Sequence, residues 1–479
     1  MRPHVIFRYA GIVLLFNALF LTLSACISGF KSDTALYPLA YTALIALMFG
    51  IFPLIFVPPV TNISNKEGFV IVVSGWITSC VIGAMPYVLW GGEFSLTNAW
   101  FESVSGFTTT GSSILTDVEI LPAGLLFWRA ATHWIGGIGI IVFVLAVLPS
   151  SGNIGMVLYR SEASSLSMEN FHYRTKKSVQ ILAVVYVGLT LAHIVALLLC
   201  GMNLFDAVTH AFASIATGGF STKNLSIAHF HSLSVEMVFM AFMLISGIHF
   251  GLLFSVSQGK VMDFYKNPIL RYYLAAMTTG ILLVAVNLHL RSGYDWGHAF
   301  RVAGFQVITI GTSTGFATED SSIWPSFSQL VLIFFTLQGA CAGSTSGGIK
   351  VDRIIIFWKG FLKRIQIVMH PRAVVMPKIN NMSIYQDTIE ATTIFIVIYL
   401  AIIFISSLLL TFIGVDGLSA FSGSAACMGG VGPGFGTVGS ISNFSHIPTL
   451  GKWILSLTML FGRLEVFGLL LMFMLRRWR

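Results

Sequence analysis

Charged residues are scarce in this sequence. Only 10% of its 479 residues are Asp, Glu, Lys or Arg, whereas 56% are hydrophobic. A water-soluble domain needs more charge than this to cover its surface. The composition therefore excludes a soluble globular protein and predicts an all-α polytopic membrane protein, because helices satisfy their own backbone groups within lipid.

Cysteines and catalytic motifs are also scarce. The five cysteines are scattered through apolar surroundings without the spacing of a metal site, which predicts free, buried thiols. The sequence has no P-loop, no Ser, His and Asp constellation, and no histidine pair with a ligand pattern on facing spans. These absences argue against an enzyme or a haem protein and predict no prosthetic group. Any control by a nucleotide would then come from a partner subunit.

Ten apolar stretches are each about long enough to cross ~30 Å of hydrocarbon as a helix. An even number of crossings places both termini on one side, and the short basic loops predict that this side is the cytoplasm. The formal charge of +8 is thus attributed to topology rather than to a nucleic-acid partner. The stretches lie at 9–29, 36–60, 68–90, 123–149, 178–200, 232–257, 269–290, 326–342, 386–413 and 450–475.

The predicted outer segments are acidic. Their carboxylates could raise the local concentration of cations, although ordinary solvated loop charges explain them equally well. These carboxylates are Asp33, Glu93, Glu102, Asp117, Glu119, Asp206, Asp295, Glu319, Asp320 and Asp416.

Four segments that are too short and too polar to span lie between alternate crossings. When their glycines 111, 219, 315 and 432 are superposed, an alanine stands twelve residues earlier in every copy. This register predicts one unit used four times around a central pore: a helix in, a re-entrant half-helix with its loop, and a helix out. The predicted units are 65–152, 175–260, 267–366 and 384–479, after two extra N-terminal transmembrane helices in 1–64. The segments read NAWFESVSGFTTTGSS (98–113), DAVTHAFASIATGGFS (206–221), VAGFQVITIGTSTGFA (302–317) and SAFSGSAACMGGVGPG (419–434).

The glycine of each copy indicates what such loops could do. Glycine adopts φ > 0 without a Cβ penalty, so consecutive carbonyls can turn toward the axis and replace the water shell of a cation. The half-helix before each loop directs its negative C-terminal end to the same place. Small residues that mark helix packing are the alternative for any single segment, but four segments in phase favour a pore.

The span after the third segment is interrupted. Apolar residues 326–337 are followed by GACAGSTSGGIK (339–350) and by an amphipathic stretch at 354–364. A run so rich in glycine and small residues predicts a loop on the cytoplasmic side of the filter. Arg463, in FGRLEVFG of the last span, could hold carbonyls of this loop and repel cations; contact with Glu465 or a lipid phosphate is the alternative. Four other polar residues of apolar spans are predicted to be structural. Arg129 and His133 are expected to be packing or interfacial groups rather than ligands, whereas His249 and Gln338 could pair with backbone or line the cavity.

These motifs resemble the bacterial Trk/Ktr/HKT superfamily of K+ transporters, in particular its Trk-type membrane subunit. The two extra N-terminal crossings favour the Trk type over the Ktr type. The resemblance covers nearly the whole chain and is carried by TTTGS (108–112), ATGGFS (216–221), TSTGFAT (312–318), GGVGPG (429–434), GACAGSTSGGIK and GRLEVFG.

The resemblance implies K+ uptake across the bacterial inner (cytoplasmic) membrane through a K+ channel-like selectivity filter and an intramembrane gate. It also implies a homodimer in membrane lipid, regulated by a cytosolic, TrkA-like ring of NAD- or ATP-binding subunits. The implied filter residues are Thr109, Thr110, Gly111, Ser112, Thr217, Gly218, Gly219, Phe220, Ser313, Thr314, Gly315, Phe316, Gly430, Val431, Gly432 and Pro433. The implied gate residues are Gly339, Gly343, Ser344, Thr345, Ser346, Gly347, Gly348, Lys350 and Arg463.

Two alternatives stay open at this point. In the fourth loop Gly430 stands where Asn is expected in many relatives, so Gly434 is an alternative to Gly432 for the filter glycine. The second concerns function: an ion-coupled secondary transporter could move K+ with H+ or Na+, or an organic solute. That class predicts inverted repeats, whereas the four copies here enter from the same side.

Overall fold

The structure is a computed structural model that describes residues 2–59, 63–147, 175–373, 375–379 and 382–466. Within these ranges the chain is almost entirely helical, as the composition predicts. One antiparallel pair of two-residue strands joins Lys378–Ile379 to Met382–Ser383. The main helices are α1 (Pro3–Lys31), α2 (Leu36–Phe56), α3 (Asn65–Trp90), α4 (Leu96–Phe107), α5 (Ala123–Val147), α6 (Thr175–Leu199), α7 (Leu204–Ile215), α8 (Leu233–Ser246), α9 (Phe250–Ser257), α10 (Val261–Lys266), α11 (Pro268–Ser292), α12 (Trp296–Gly311), α13 (Ser326–Gln338), α14 (Val351–Met369), α15 (Gln386–Phe412), α16 (Gly417–Gly429) and α17 (Thr449–Arg463).

The long helices make this chain a multi-pass membrane protein. In the described ranges, six helices are long and apolar enough to cross a bilayer, or seven if one bent pair counts as a single span. The helix α1 packs against α2, α3 and α5, so the two N-terminal helices lie beside the first repeat. The predicted number of ten crossings stays a prediction, because residues 148–152 and 467–479 of the predicted units lie outside the described residues.

Three predicted spans differ from the helices observed. In the predicted span 450–475, the helix ends at Arg463, and Glu465 and Val466 adopt φ of 49° and 58°. The stretch 232–257 is not one helix, because α8 and α9 meet at a bend of 103°. The stretch 326–342 is helical only to Gln338, since Gly339 adopts a φ of 65° and ends the helix. The amphipathic stretch 354–364 lies inside the longer helix α14.

The bend between α8 and α9 leaves backbone groups that must find partners within lipid. His249 caps α9 by accepting a hydrogen bond from the Gly251 amide. Residues of the interrupted span supply two further partners: the Cys341 amide donates to the Gly247 carbonyl at 3.0 Å, and the Phe250 amide donates to the Gly343 carbonyl at 3.1 Å. The bend is therefore stabilised by the loop that follows α13.

Four short helices, α4, α7, α12 and α16, correspond to the predicted half-helices. Each begins after a polar side chain that accepts a hydrogen bond from a backbone amide of the first turn, which stabilises the helix start. Each ends three or four residues before the glycine of its segment, and the residues near that end are buried. The capping residues are Ser95, Asn203, Asp295 and Asp416.

Candidate functional site

The loops that follow the four half-helices, numbered 1 to 4 in chain order, meet in a closed ring. A Cβ added to Gly111 would lie 2.0 Å from the Gly218 carbonyl oxygen of loop 2, and one added to Gly219 would lie 2.1 Å from that of Thr314 in loop 3. The same close approach joins loop 3 to loop 4 and loop 4 to loop 1. A Cβ on Gly315 would lie 2.0 Å from the Val431 oxygen, and one on Gly432 would lie 2.6 Å from the Thr110 oxygen. We call these four glycines the glycine ring.

The four loops share one backbone conformation. In all four the ring glycine has a φ between 80° and 92°, and the residue two positions earlier also has a positive φ, between 54° and 63°. The amide just before each glycine donates to a carbonyl five residues earlier, at 2.8 or 2.9 Å. The loop-4 member of this set is Gly432 rather than Gly434. The pairs are Thr109 with Gly111, Thr217 with Gly219, Ser313 with Gly315, and Gly430 with Gly432.

The side chains of the loops lie around this backbone. The hydroxyls of Thr108 and Thr110 form a hydrogen bond at 2.8 Å, and those of Thr312 and Thr314 do the same. Ser112 of loop 1 donates to the Gly432 carbonyl of loop 4 at 2.9 Å. Two bulky residues that follow ring glycines, Phe220 and Phe316, are buried in packing: Phe220 stacks on His133 and Phe316 contacts Phe239.

A cavity lies on each side of the ring. The outer cavity, named for the predicted sidedness, has a volume of about 190 Å³ and is lined by all four ring glycines and by Pro433. The inner cavity is smaller, about 60 Å³, and is lined by Thr108 and Thr109 together with residues of 344–348. The ring therefore separates a wider space from a narrow, obstructed one.

Residues 339–350, which we call the inner loop, lie directly against the inner side of the ring. The Gly347 amide donates to the Ser313 hydroxyl at 2.9 Å, and the Ser313 and Ser346 hydroxyls are 3.1 Å apart. A Cβ on Gly347 would lie 2.2 Å from the Gly429 carbonyl oxygen. Thr345 donates to the Ile215 carbonyl at the end of α7. Of the other residues predicted here, Gly339, Gly343, Gly348 and Lys350 all have positive φ, and Ser344 lines the inner cavity.

Charged side chains hold this loop from the end of α17. Arg463 donates to the Thr345 carbonyl at 3.2 Å and to the Gly136 carbonyl of α5 at 2.6 Å. Glu465 forms ion pairs with Lys350, at 3.2 Å, and with Arg353. The sequence offers an Arg463 contact with Glu465 as one alternative. The pairing of Glu465 with Lys350 and Arg353 has no signal in the sequence, because more than 100 residues separate the partners.

Two of the predicted outer carboxylates are not solvated loop charges. Glu102 is fully buried and pairs with Arg129 at 2.7 Å, and Asp206, only 6% exposed, accepts from Thr222 at 2.6 Å. Outer carboxylates nearer solvent are held by hydrogen bonds. The Asn224 amide lowers the pKa of Asp117, and the Ser419 backbone amide lowers the pKa of Asp416, because each favours the charged carboxylate. Both stay ionised at neutral pH.

This arrangement favours cations over anions. The half-helices direct their negative C-terminal ends at the ring. The carbonyl oxygen of the residue before each ring glycine closely approaches the ring glycine of a neighbouring loop. In the described residues no group of three or more His, Cys, Asp or Glu side chains could hold a metal ion. The carbonyls that precede the ring glycines are groups that could coordinate a cation there.

Proteins similar to this chain in sequence and fold are described as ion transporters. The sequence model of a family described as TrkH, cation transport protein, matches residues 56–477. The chain is 37% identical over 422 residues to the Trk system potassium uptake protein TrkH of Escherichia coli K12, a match covering 87% of each. It is 33% identical over 414 residues to the Trk system potassium uptake protein TrkI of Halomonas elongata, covering 86% of this chain and 84% of that one. The crystal structure of the potassium transporter TrkH from Vibrio parahaemolyticus superposes with a TM-score of 0.90 at 32% identity, over 100% of both chains.

Proposed function

The chain belongs to the TrkH family of cation transport proteins, and on this premise we propose that it takes up K+ through the glycine ring. The ring carbonyls replace the hydration shell of K+, and the stretches 109–112, 217–220, 313–316 and 430–433 form the selectivity filter. The observation that carries this proposal is the closed set of four close approaches, in which a Cβ added to each ring glycine would lie 2.0 to 2.6 Å from a carbonyl oxygen of the next loop. Such contacts leave no room for side chains between neighbouring loops.

The inner loop acts as the gate of this pathway. It lies against the inner side of the ring and fills the space in which K+ would leave the filter. Arg463 fixes it in this position through the Thr345 carbonyl and adds a positive charge beneath the filter. Opening requires that the inner loop move away from Ser313, which breaks these hydrogen bonds.

The assembly around this pathway follows from the family resemblance. The protein forms a homodimer in the bacterial inner membrane, with both termini in the cytoplasm, and each protomer has its own pore built from the four units. A cytosolic, TrkA-like ring that binds NAD or ATP regulates the gate. The chain itself needs no prosthetic group and performs no enzymatic reaction; K+ is its cargo.

Uptake of radioactive Rb+ into proteoliposomes that contain the purified protein tests the proposal. We expect uptake that K+ inhibits and choline does not. The substitution Gly315→Ser should abolish the preference for K+ over Na+, since a Cβ there would lie 2.0 Å from the Val431 oxygen. Gly293→Ser is the matched control: its φ is 71°, but nothing lies within 4 Å of its Cβ position. Equal ion preference in both variants would contradict a filter at the ring.

A further inference from the structure

The position nine residues before each ring glycine carries a different residue in each loop: Glu102, His210, Gln306 and Gly423. In loops 1 and 2 this side chain contacts the serine two residues after the ring glycine. Ser113 donates to Glu102 at 2.9 Å, and Ser221 donates to the Nε2 of His210 at 2.8 Å, while the His210 Nδ1 bonds to the Asp206 carbonyl. The half-helix thus holds the outer end of its own loop.

Arg129 of α5 joins these two anchoring points. Its guanidinium donates to Glu102 at 2.9 Å and to the Ser113 hydroxyl at 3.3 Å in loop 1, and to the Ser221 carbonyl at 3.2 Å in loop 2. It also lies 4.0 Å from the centre of the Phe220 ring. A single side chain therefore connects equivalent positions on both sides of the interface between loops 1 and 2.

The charge balance at this interface depends on Glu102. Arg129 is 2% exposed and Glu102 is fully buried, yet Arg129 lines the outer cavity. A buried guanidinium that loses its counter-charge is strongly destabilised and seeks other acceptors, here the backbone of the loops. Without Glu102, a net positive charge would also stand beside the path of incoming cations.

We propose that Glu102 and Arg129 are positioning residues that hold loops 1 and 2 in register and thereby determine how strongly the filter prefers K+ over Na+. This inference rests on the proposed function. The pair contacts the loops behind the filter rather than the ion, and it acts on selectivity because the ring closes only if each glycine meets the carbonyl of its neighbour.

The test compares Rb+ and Na+ uptake by proteoliposomes of the full-length protein. Glu102→Gln keeps the shape of the side chain and removes its charge; we expect the ratio of Na+ to Rb+ uptake to rise on the order of tenfold, because charge-assisted hydrogen bonds are lost. Arg129→Lys keeps the charge but cannot reach both loops, so the ratio should rise in the same direction. If Glu102→Gln does not fold, Arg129→Lys still decides the question.

Glu236→Gln is the matched control. It removes a buried carboxylate from another ion pair, between Glu236 and the partly exposed Arg301 at 2.7 Å, which connects the start of α12 to α8. A merely structural role predicts loss of thermal stability in both Glu to Gln variants and an unchanged uptake ratio in both. Unchanged ratios in Glu102→Gln and Arg129→Lys would overturn the inference. If the wild type takes up Rb+ and Na+ equally, the proposed function fails, and the inference fails with it.

Discussion

The glycine ring and the inner loop touch each other but are held in opposite ways. The ring is closed by backbone contacts between neighbouring loops, and the same hydrogen bond to a carbonyl five residues earlier recurs in each of them. The inner loop is joined to the bend between α8 and α9 by backbone hydrogen bonds, but the part that faces the ring, residues 344–348, is held largely by side chains, among them Arg463, Ser313 and Thr345. Side-chain contacts can break one at a time, whereas the ring cannot open at one point without displacing its neighbours. The difference supports the proposal that the ring selects the ion and that the inner loop regulates its passage.

The largest effect is expected from a change to the ring itself. Gly219→Ala would place a Cβ 2.1 Å from the Thr314 oxygen, so the backbone of loop 2 or loop 3 must move. We expect most of the preference for K+ over Na+ to be lost, measured as the ratio of Rb+ to Na+ uptake. Gly201→Ala has a similar φ of 87° with nothing near its Cβ position. Gly201→Ala should cost only about 1–2 kcal/mol of stability. If it also lost the preference for K+ over Na+, the effect of Gly219→Ala could not be attributed to the ring.

A smaller effect, on rate instead of preference, is expected from the charged contact on the inner loop. Arg463→Ala removes charge-assisted hydrogen bonds to the Thr345 and Gly136 carbonyls. Each bond to a charged group contributes about 1.5–3 kcal/mol. Since about 1.4 kcal/mol corresponds to a tenfold change, loss of even one such bond should raise Rb+ uptake at least about tenfold as the closed arrangement weakens.

Arg463→Lys separates charge from geometry in that experiment. Lysine keeps the positive charge beneath the filter but cannot fork between two carbonyls. Its uptake should lie between those of the wild type and Arg463→Ala. Uptake equal to wild type in both variants, at equal protein content, would remove Arg463 from the gate.

The smallest effect is expected from a neutral contact between the two regions. Ser346→Ala removes the hydroxyl that faces Ser313 at 3.1 Å and accepts from the Ala340 amide at 3.0 Å. A neutral hydrogen bond contributes about 1 kcal/mol, so uptake should rise by about fivefold with its ion preference unchanged. The control Ser246→Ala removes a hydroxyl that bonds only within its own helix among the contacts described, to Phe242. A larger rise in the control would contradict a specific role for Ser346.

The ring could be located from the sequence because its requirement is local. A position that needs positive φ and tolerates no side chain selects glycine, and four copies in one register make that signal visible. The interruption of the span after the third segment could also be predicted, because glycine and small residues at 339–350 break an otherwise apolar helix. The bend between α8 and α9 was missed because Gly247 and His249 stand in a run that is apolar enough to be one span.

Contacts between distant residues could not be read from the sequence. Glu102 looked like an outer loop carboxylate and Arg129 like a packing group, and only the fold places them 2.7 Å apart. The pairing of Glu465 with Lys350 and Arg353 likewise depends on how α17 meets the start of α14. Buried charges in a membrane protein do signal a partner, but the fold decides which one.

Parallel measurement of Rb+ and Na+ uptake by Gly315→Ser and Arg463→Ala, in the same proteoliposome preparation, tests the division of roles most directly. The account predicts that Gly315→Ser changes the ratio of the two ions, whereas Arg463→Ala raises both rates and leaves the ratio at its wild-type value. A changed ratio in Arg463→Ala together with a wild-type ratio in Gly315→Ser would contradict it.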